Sequence, residues 1–88
     1  MDTLLDANAL SRLKWRCRRG MLENDLFIER FFQRYASTLT QGQALGIESL
    51  MDLADNDLLD LLMGRQELQG DLDQAAVRDV LALMRQRP

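Results

Sequence analysis

Apolar residues recur along most of this chain at steps of three and four, the spacing of a helix face and not of a strand. Leu10, Leu13 and Cys17 share one such face and predict a helix over residues 7–18. Its last turn is rich in arginine, which suits the negative end of the helix dipole, and Gly20 follows as the natural stop. A second helix is expected over residues 21–36, with Phe27, Ile28, Phe31, Phe32 and Tyr35 on its apolar face. Glu23 and Asp25 fall in its first turn, where carboxylates are favoured. Thr40 with Gln43 three residues on is a capping-box pattern, and the helix it opens carries Ile47, Leu50, Met51 and Ala54 on one face. Gly46 lies inside that helix and weakens it by about 1 kcal/mol relative to alanine. Asp55 or Asn56 is expected to cap a short fourth helix, DLLDLLM, that stops at Gly64. After a loop over residues 64–70, Asp71 or Asp73 opens a last helix with Ala76, Val77, Val80, Leu81 and Met84 facing inward. No run of alternating β-branched residues is present, and Val77 and Val80 are the only valines. The expected fold is all-α, a compact five-helix bundle in a single domain of residues 1–88 with an ordered core over about 7–86.

Composition bounds what such a bundle can do. A chain of 88 residues that is 47% hydrophobic and 28% charged packs one core. Folding at this size buries only about 60% of the unfolded surface, so no deep interior cleft is expected. The single cysteine, Cys17, excludes an intrachain disulfide and a multi-cysteine metal site. No stretch approaches the roughly 18 apolar residues of a membrane span. The N-terminus is acidic before it is basic and lacks the apolar run of a secretory signal, so a cytoplasmic protein with no membrane insertion is expected. The net charge of −3 is unevenly spread: residues 12–34 carry a balance of +4 and residues 35–88 one of −5. Such a dipolar molecule orients on a charged partner, while its overall sign argues against general nucleic-acid affinity.

Catalytic groups are scarce. The chain has no histidine, which removes the usual general base and the commonest metal ligand. Cys17 has no such partner to activate it and falls on the apolar stripe of the first helix, where a small buried thiol is the simpler reading. Ser11, Ser37 and Ser49 sit in no nucleophile-elbow context. Gly42 and Gly46 follow no strand, so no phosphate-cradling loop is indicated. Asp55 and Asp57 lack the remaining ligands of a calcium loop and are explained by a helix start. A protein that is not an enzyme and binds no cofactor or metal of its own is expected.

The segment that stands out is WRCRRGMLEND, residues 15–25. Arg12, Arg16 and Arg19 recur at i, i+4 and i+7 on one face of the first helix, with Lys14 and Arg18 on a neighbouring strip. Trp15 projects from the same helix off the Leu10/Leu13/Cys17 stripe, and tryptophan and arginine together are enriched at interface hot spots. Gly20 permits a sharp reversal and leaves the backbone bare for another chain to approach. Glu23 then faces back toward the arginine-rich helix end, and an Arg19–Glu23 pair would stiffen the corner. The same residues are also ordinary helix punctuation, so physics alone leaves both readings standing.

The run W-x-C-R-R-G-M-x-E-x-D over residues 15–25 resembles the signature of the SdhE (YgfY) family, bacterial relatives of a mitochondrial succinate dehydrogenase assembly factor. The resemblance continues through Phe31-Phe32, Tyr35, Leu39-Thr40, Leu50-Met51-Asp52 and Asp55-Asn56-Asp57-Leu58, covering roughly residues 12–63. Asn24 stands where a leucine is common, Leu61 where an aromatic residue is frequent, and the RQELQG segment after Gly64 also departs. The resemblance implies an assembly factor that binds the flavoprotein subunit of succinate dehydrogenase, and of fumarate reductase where present. It implies that the factor promotes covalent attachment of FAD to a histidine of that partner, where the FAD is held. The free factor is expected to be monomeric. It places the contact at Arg19, Gly20 and Glu23, with Trp15, Met21 and Asp25 around them and Arg12 extending the surface. Two other readings are a nucleic-acid or transcription-associated adaptor using the basic first helix, and an antitoxin-like partner protein.

Overall fold

In the computed structural model, which describes residues 3–18 and 20–85, five α-helices follow a short extended lead. Thr3 to Leu5 runs antiparallel to residues 39–41: the Leu5 N–H donates to the Leu39 carbonyl at 2.9 Å and the Gln41 N–H to that of Thr3 at 2.8 Å. Leu4 and Thr40 form an isolated bridge, a pairing too short to leave any periodicity in the sequence. Asp6 then caps α1 (Ala7–Arg16), its Oδ1 accepting from the Ala9 N–H at 2.7 Å. The start of α1 is thus held both by a cap and by the lead's attachment to the residues that open α3.

α2 spans Leu22–Tyr35 and passes into a 3-10 turn over Ala36–Thr38. α3 spans Gln41–Met51 and begins with the expected capping box: the Gln43 N–H donates to Thr40 Oγ1 at 3.2 Å, and the Thr40 N–H to Gln43 Oε1 at 3.0 Å. Thr40→Ala removes one half of that box and is expected to cost about 1 kcal/mol, read as a fall in melting temperature of roughly 4–8 °C.

Beyond one-residue shifts at the ends of α2 and of the fourth helix, the starts of the fourth and fifth helices and the end of α1 differ from the sequence reading. α4 spans Asp55–Leu62 with Ala54 in the N-cap position, so neither Asp55 nor Asn56 is the cap and Ala54 does not continue the α3 face. The chain bends over Asp52 and Leu53 and enters α4 through an extended Ala54, which leaves Asp55 and Asp57 in the first turn beside the positive end of the helix dipole. α5 spans Ala75–Met84 behind Gln74, not behind Asp71 or Asp73. Asp71 is taken up in a 3-10 turn over Gly70–Leu72, and the Asp73 carboxylate accepts from Arg78 at 2.7 Å instead of capping. α1 stops at Arg16, two residues before the expected end. The stop of α4 is as expected: Gly64 has φ +77°, and N–H groups of Gly64 and Arg65 reach the Leu61 and Asp60 carbonyls at 3.1 and 2.8 Å, the paired bonds of a Schellman turn.

The core draws on all five helices, with Ile47, Leu50, Leu58 and Val80 fully shielded. α3 packs chiefly on α5, and Gly46 is what allows it. A Cβ at Gly46 would lie 2.6 Å from the Ala76 carbonyl oxygen of α5, closer than side chains and backbone approach. The glycine that weakens α3 as an isolated helix therefore sets the distance between two helices.

Candidate partner-contact site

The corner between α1 and α2 is built from a tightened helix end, a left-handed glycine and an extended entry. The Cys17 N–H donates to the Leu13 and Lys14 carbonyls at 3.0 and 3.3 Å, and the Arg18 N–H to that of Trp15 at 3.2 Å, so the last turn narrows toward 3-10 geometry. Gly20 has φ +78°, a conformation that side chains with a Cβ adopt at a cost. It lies in the connection rather than directly behind the helix, and a Cβ on it would meet no atom within 4 Å from any described residue other than its chain neighbours. The side on which a Cβ would stand is therefore open. Met21 enters α2 in extended conformation and is half-buried.

Asn24, in the first turn of α2, is fully buried. Its amide nitrogen donates to the Asp55 carbonyl at 3.0 Å and lies 3.5 Å from Met21 Sδ. The α2 entry is thereby tied to the α4 entry. Its Oδ1 has no hydrogen-bond partner among the described residues. A leucine here would bury apolar surface without that bond, so the departure at Asn24 exchanges packing for a polar tether. No spacing pattern marks such a residue in advance.

The basic residues of α1 separate in space. Arg16 pairs with Asp52 at 2.7 Å, which attaches α1 to the end of α3 and removes one arginine from the expected strip. Both partners are substantially exposed, so the pair contributes less than about 1 kcal/mol. Lys14 lies over the Phe32 ring at 5.9 Å, and the Arg18 guanidinium over Trp15 at 5.2 Å from the ring centroid. Arg12 is exposed and makes no ion pair with a described residue. Arg19, and with it the expected Arg19–Glu23 pair, lies outside the described residues. Glu23 is exposed, with no ion pair to a described residue.

Trp15 is 71% exposed and forms one bank of an open groove of about 620 Å³ between α1 and α2. Lys14 and Arg18 lie on the same bank, and half-buried Asp25 with Glu29 on the other, over a floor of Cys17, Ile28 and Phe32. The structure thus brings Trp15 and Asp25 to one groove, with the Gly20–Glu23 corner at the end of the same two helices. It adds Lys14, Arg18 and Glu29, which the sequence reading left outside the site. Among the described residues no group of histidine, cysteine or acidic side chains gathers to hold a metal ion. No described helix is long and apolar enough to cross a membrane.

This corner falls within a match to known proteins that covers most of the chain. A family model described as flavinator of succinate dehydrogenase matches residues 11–87, taking in the whole Trp15–Asp25 run. The chain belongs to that family. The FAD assembly factor SdhE of Ralstonia nicotianae is 49% identical over 80 residues, 91% of this chain and 84% of the relative. That of Legionella pneumophila is 38% identical over 68 residues, covering 77% and 86% of the two chains. That of Photobacterium profundum is 34% identical over 79 residues, 90% of each. No solved structure matches the chain. The flavinator match agrees with the family reading drawn from the Trp15–Asp25 run and extends through α5, beyond the residues 12–63 that carried the resemblance.

Proposed function

We propose that this protein is an FAD assembly factor that binds the flavoprotein subunit of succinate dehydrogenase and promotes covalent attachment of FAD to it. The observation that carries the reading is the flavinator family match over residues 11–87. The contact surface in this reading is the α1–α2 corner: Gly20 and Glu23 with Arg19 at the centre, Trp15, Met21 and Asp25 around them, and Arg12 on the α1 side. Its support is physical. A left-handed glycine with open space beside it, an exposed tryptophan, and the exposed Arg12 and Glu23, which have no ion pair with a described residue, are features that a partner can use.

In this reading the bond is made on the client, between FAD and a side chain of the subunit. This chain supplies orientation: by gripping the subunit it holds the reacting groups and the domains around them in one arrangement, a contribution that reaches several kcal/mol, and up to about 7–11 in well-oriented systems. FAD stays with the client. The α1–α2 groove carries charges of both signs, Lys14 and Arg18 on one bank and Asp25 and Glu29 on the other, and so does not single out a diphosphate. Where the host also has fumarate reductase, its flavoprotein subunit is a second client.

Tagged protein captured from native extract is expected to bring down the flavoprotein subunit, identified by mass. Capture of a small toxin or of nucleic acid in its place would contradict the reading and favour one of the two alternatives.

A further inference from the structure

Among the described residues six large apolar side chains are strongly exposed: Leu4, Trp15, Leu22, Leu26, Leu45 and Met63. Three of them fall within residues 15–26, around the one corner. Leu22 is 69% and Leu26 50% exposed, and at i and i+4 they stand one above the other on α2. Asp25 and Glu29, each three residues after one of these leucines, line the groove opposite Trp15. The leucines therefore border the α2 bank as Trp15 borders the α1 bank. Single exposed leucines are ordinary, but two on one helix turn, across the groove from an exposed tryptophan, make an apolar centre of the kind found at interfaces.

The charges around this centre say what covers it. Arg12 lies one turn before Trp15 on α1, and Glu23 follows Leu22 on α2. Both are exposed, and neither has an ion pair with a described residue. The partner that complements this surface offers an apolar patch to the leucines, a carboxylate on the Arg12 side and a basic group on the Glu23 side.

We infer that Leu22 and Leu26 are apolar anchors of the client contact, seating on an apolar patch of the flavoprotein subunit flanked by a carboxylate facing Arg12 and a basic group facing Glu23. This rests on the assembly-factor reading above and extends its surface from the corner along α2. Because the anchors differ from the charged corner residues in chemistry, their loss raises the dissociation rate and leaves the salt dependence of binding unchanged.

The test is the affinity of the full chain for purified flavoprotein subunit, measured for wild type, for Leu22→Gln with Leu26→Gln, for Leu22→Gln alone, and for Leu45→Gln as an equally exposed leucine on α3. The double variant is expected to bind about 30-fold or more weakly and Leu22→Gln about 10-fold, with Leu45→Gln within about twofold of wild type. Circular dichroism melts should be unchanged for all of them; if the double variant melts early, Leu22→Gln alone decides. Wild-type affinity in the Leu22 variants, or an equal loss in Leu45→Gln, overturns the inference and leaves the assembly-factor reading intact. A free protein that dimerises through these leucines, with client binding unaffected by their loss, overturns it in favour of a second copy as occupant. A wild-type chain that fails to bind the subunit removes the inference together with the reading beneath it.

Discussion

Replacing Gly46 by alanine is expected to destabilise the fold by about 2 kcal/mol and lower the melting temperature by roughly 10 °C. Helix propensity points the other way, since alanine in a helix interior gains about 1 kcal/mol over glycine. Packing decides the sign. The added Cβ would lie 2.6 Å from the Ala76 carbonyl oxygen and 3.2 Å from the Val77 nitrogen, and both are α5 backbone that cannot swing aside as a side chain does. α3 and α5 must move apart, and the contact they share is the most extensive in the fold. Gly46→Leu should prevent folding altogether. A thermal melt followed by circular dichroism checks this, and an alanine variant that melts at or above the wild-type temperature would show that the two helices are not packed so closely.

Glu23→Ala is expected to weaken binding to the flavoprotein subunit by about 100-fold while leaving the melting temperature nearly unchanged. The separation follows from the side chain's position. Glu23 is exposed and has no ion pair with a described residue, so the free fold loses little with it. A client that buries it loses a charged hydrogen bond and is left with an unpaired group of its own. Gly20→Arg should abolish binding for a different reason: bulk where a partner approaches bare backbone. It also carries a cost in the free protein, because φ of +78° disfavours any residue with a Cβ by about 1–2 kcal/mol. Gly20→Ala bears the same strain without the bulk, and a much smaller loss of affinity is expected for it. Calorimetric titration of the three variants checks the set. Equal losses for Gly20→Ala and Gly20→Arg would mean that backbone conformation, not obstruction, is what the client reads.

The helices were legible because each buries one stripe, and a stripe leaves a three-and-four spacing whatever it packs against. The Thr40–Gln43 box was legible because both halves of it are local. Boundaries set by backbone conformation were not: Ala54 and Gln74 occupy N-cap positions without side-chain caps, and neither residue type announces a helix start. Contacts between distant residues were also out of reach. Arg16 counts as one of a strip of arginines until Asp52, 36 residues away, is seen to hold it. Gly46 reads as a weak point until Ala76 is placed against it.

The candidate site divides in the same way. Its corner was visible as a short motif, and Gly20 takes the left-handed conformation that the motif calls for. The groove was not visible, because its floor comes from two helices and its banks from residues that a helical wheel shows only as off the apolar stripe. Leu22 and Leu26 had a faint signal of this kind, being apolar yet outside the Ile28/Phe31/Phe32 face. Asn24 had none, since its buried tether depends on where α4 begins.

An assembly factor of this family promotes flavinylation of the succinate dehydrogenase flavoprotein subunit. The most direct measurement is the fluorescence of covalently bound flavin on that subunit after denaturing electrophoresis, in cells with and without this protein and with its Glu23→Ala variant restored. Fluorescence at least about tenfold lower without the protein, recovered by wild type and not by the variant, is the expected result. Undiminished fluorescence in cells lacking the protein would contradict a role in flavinylation.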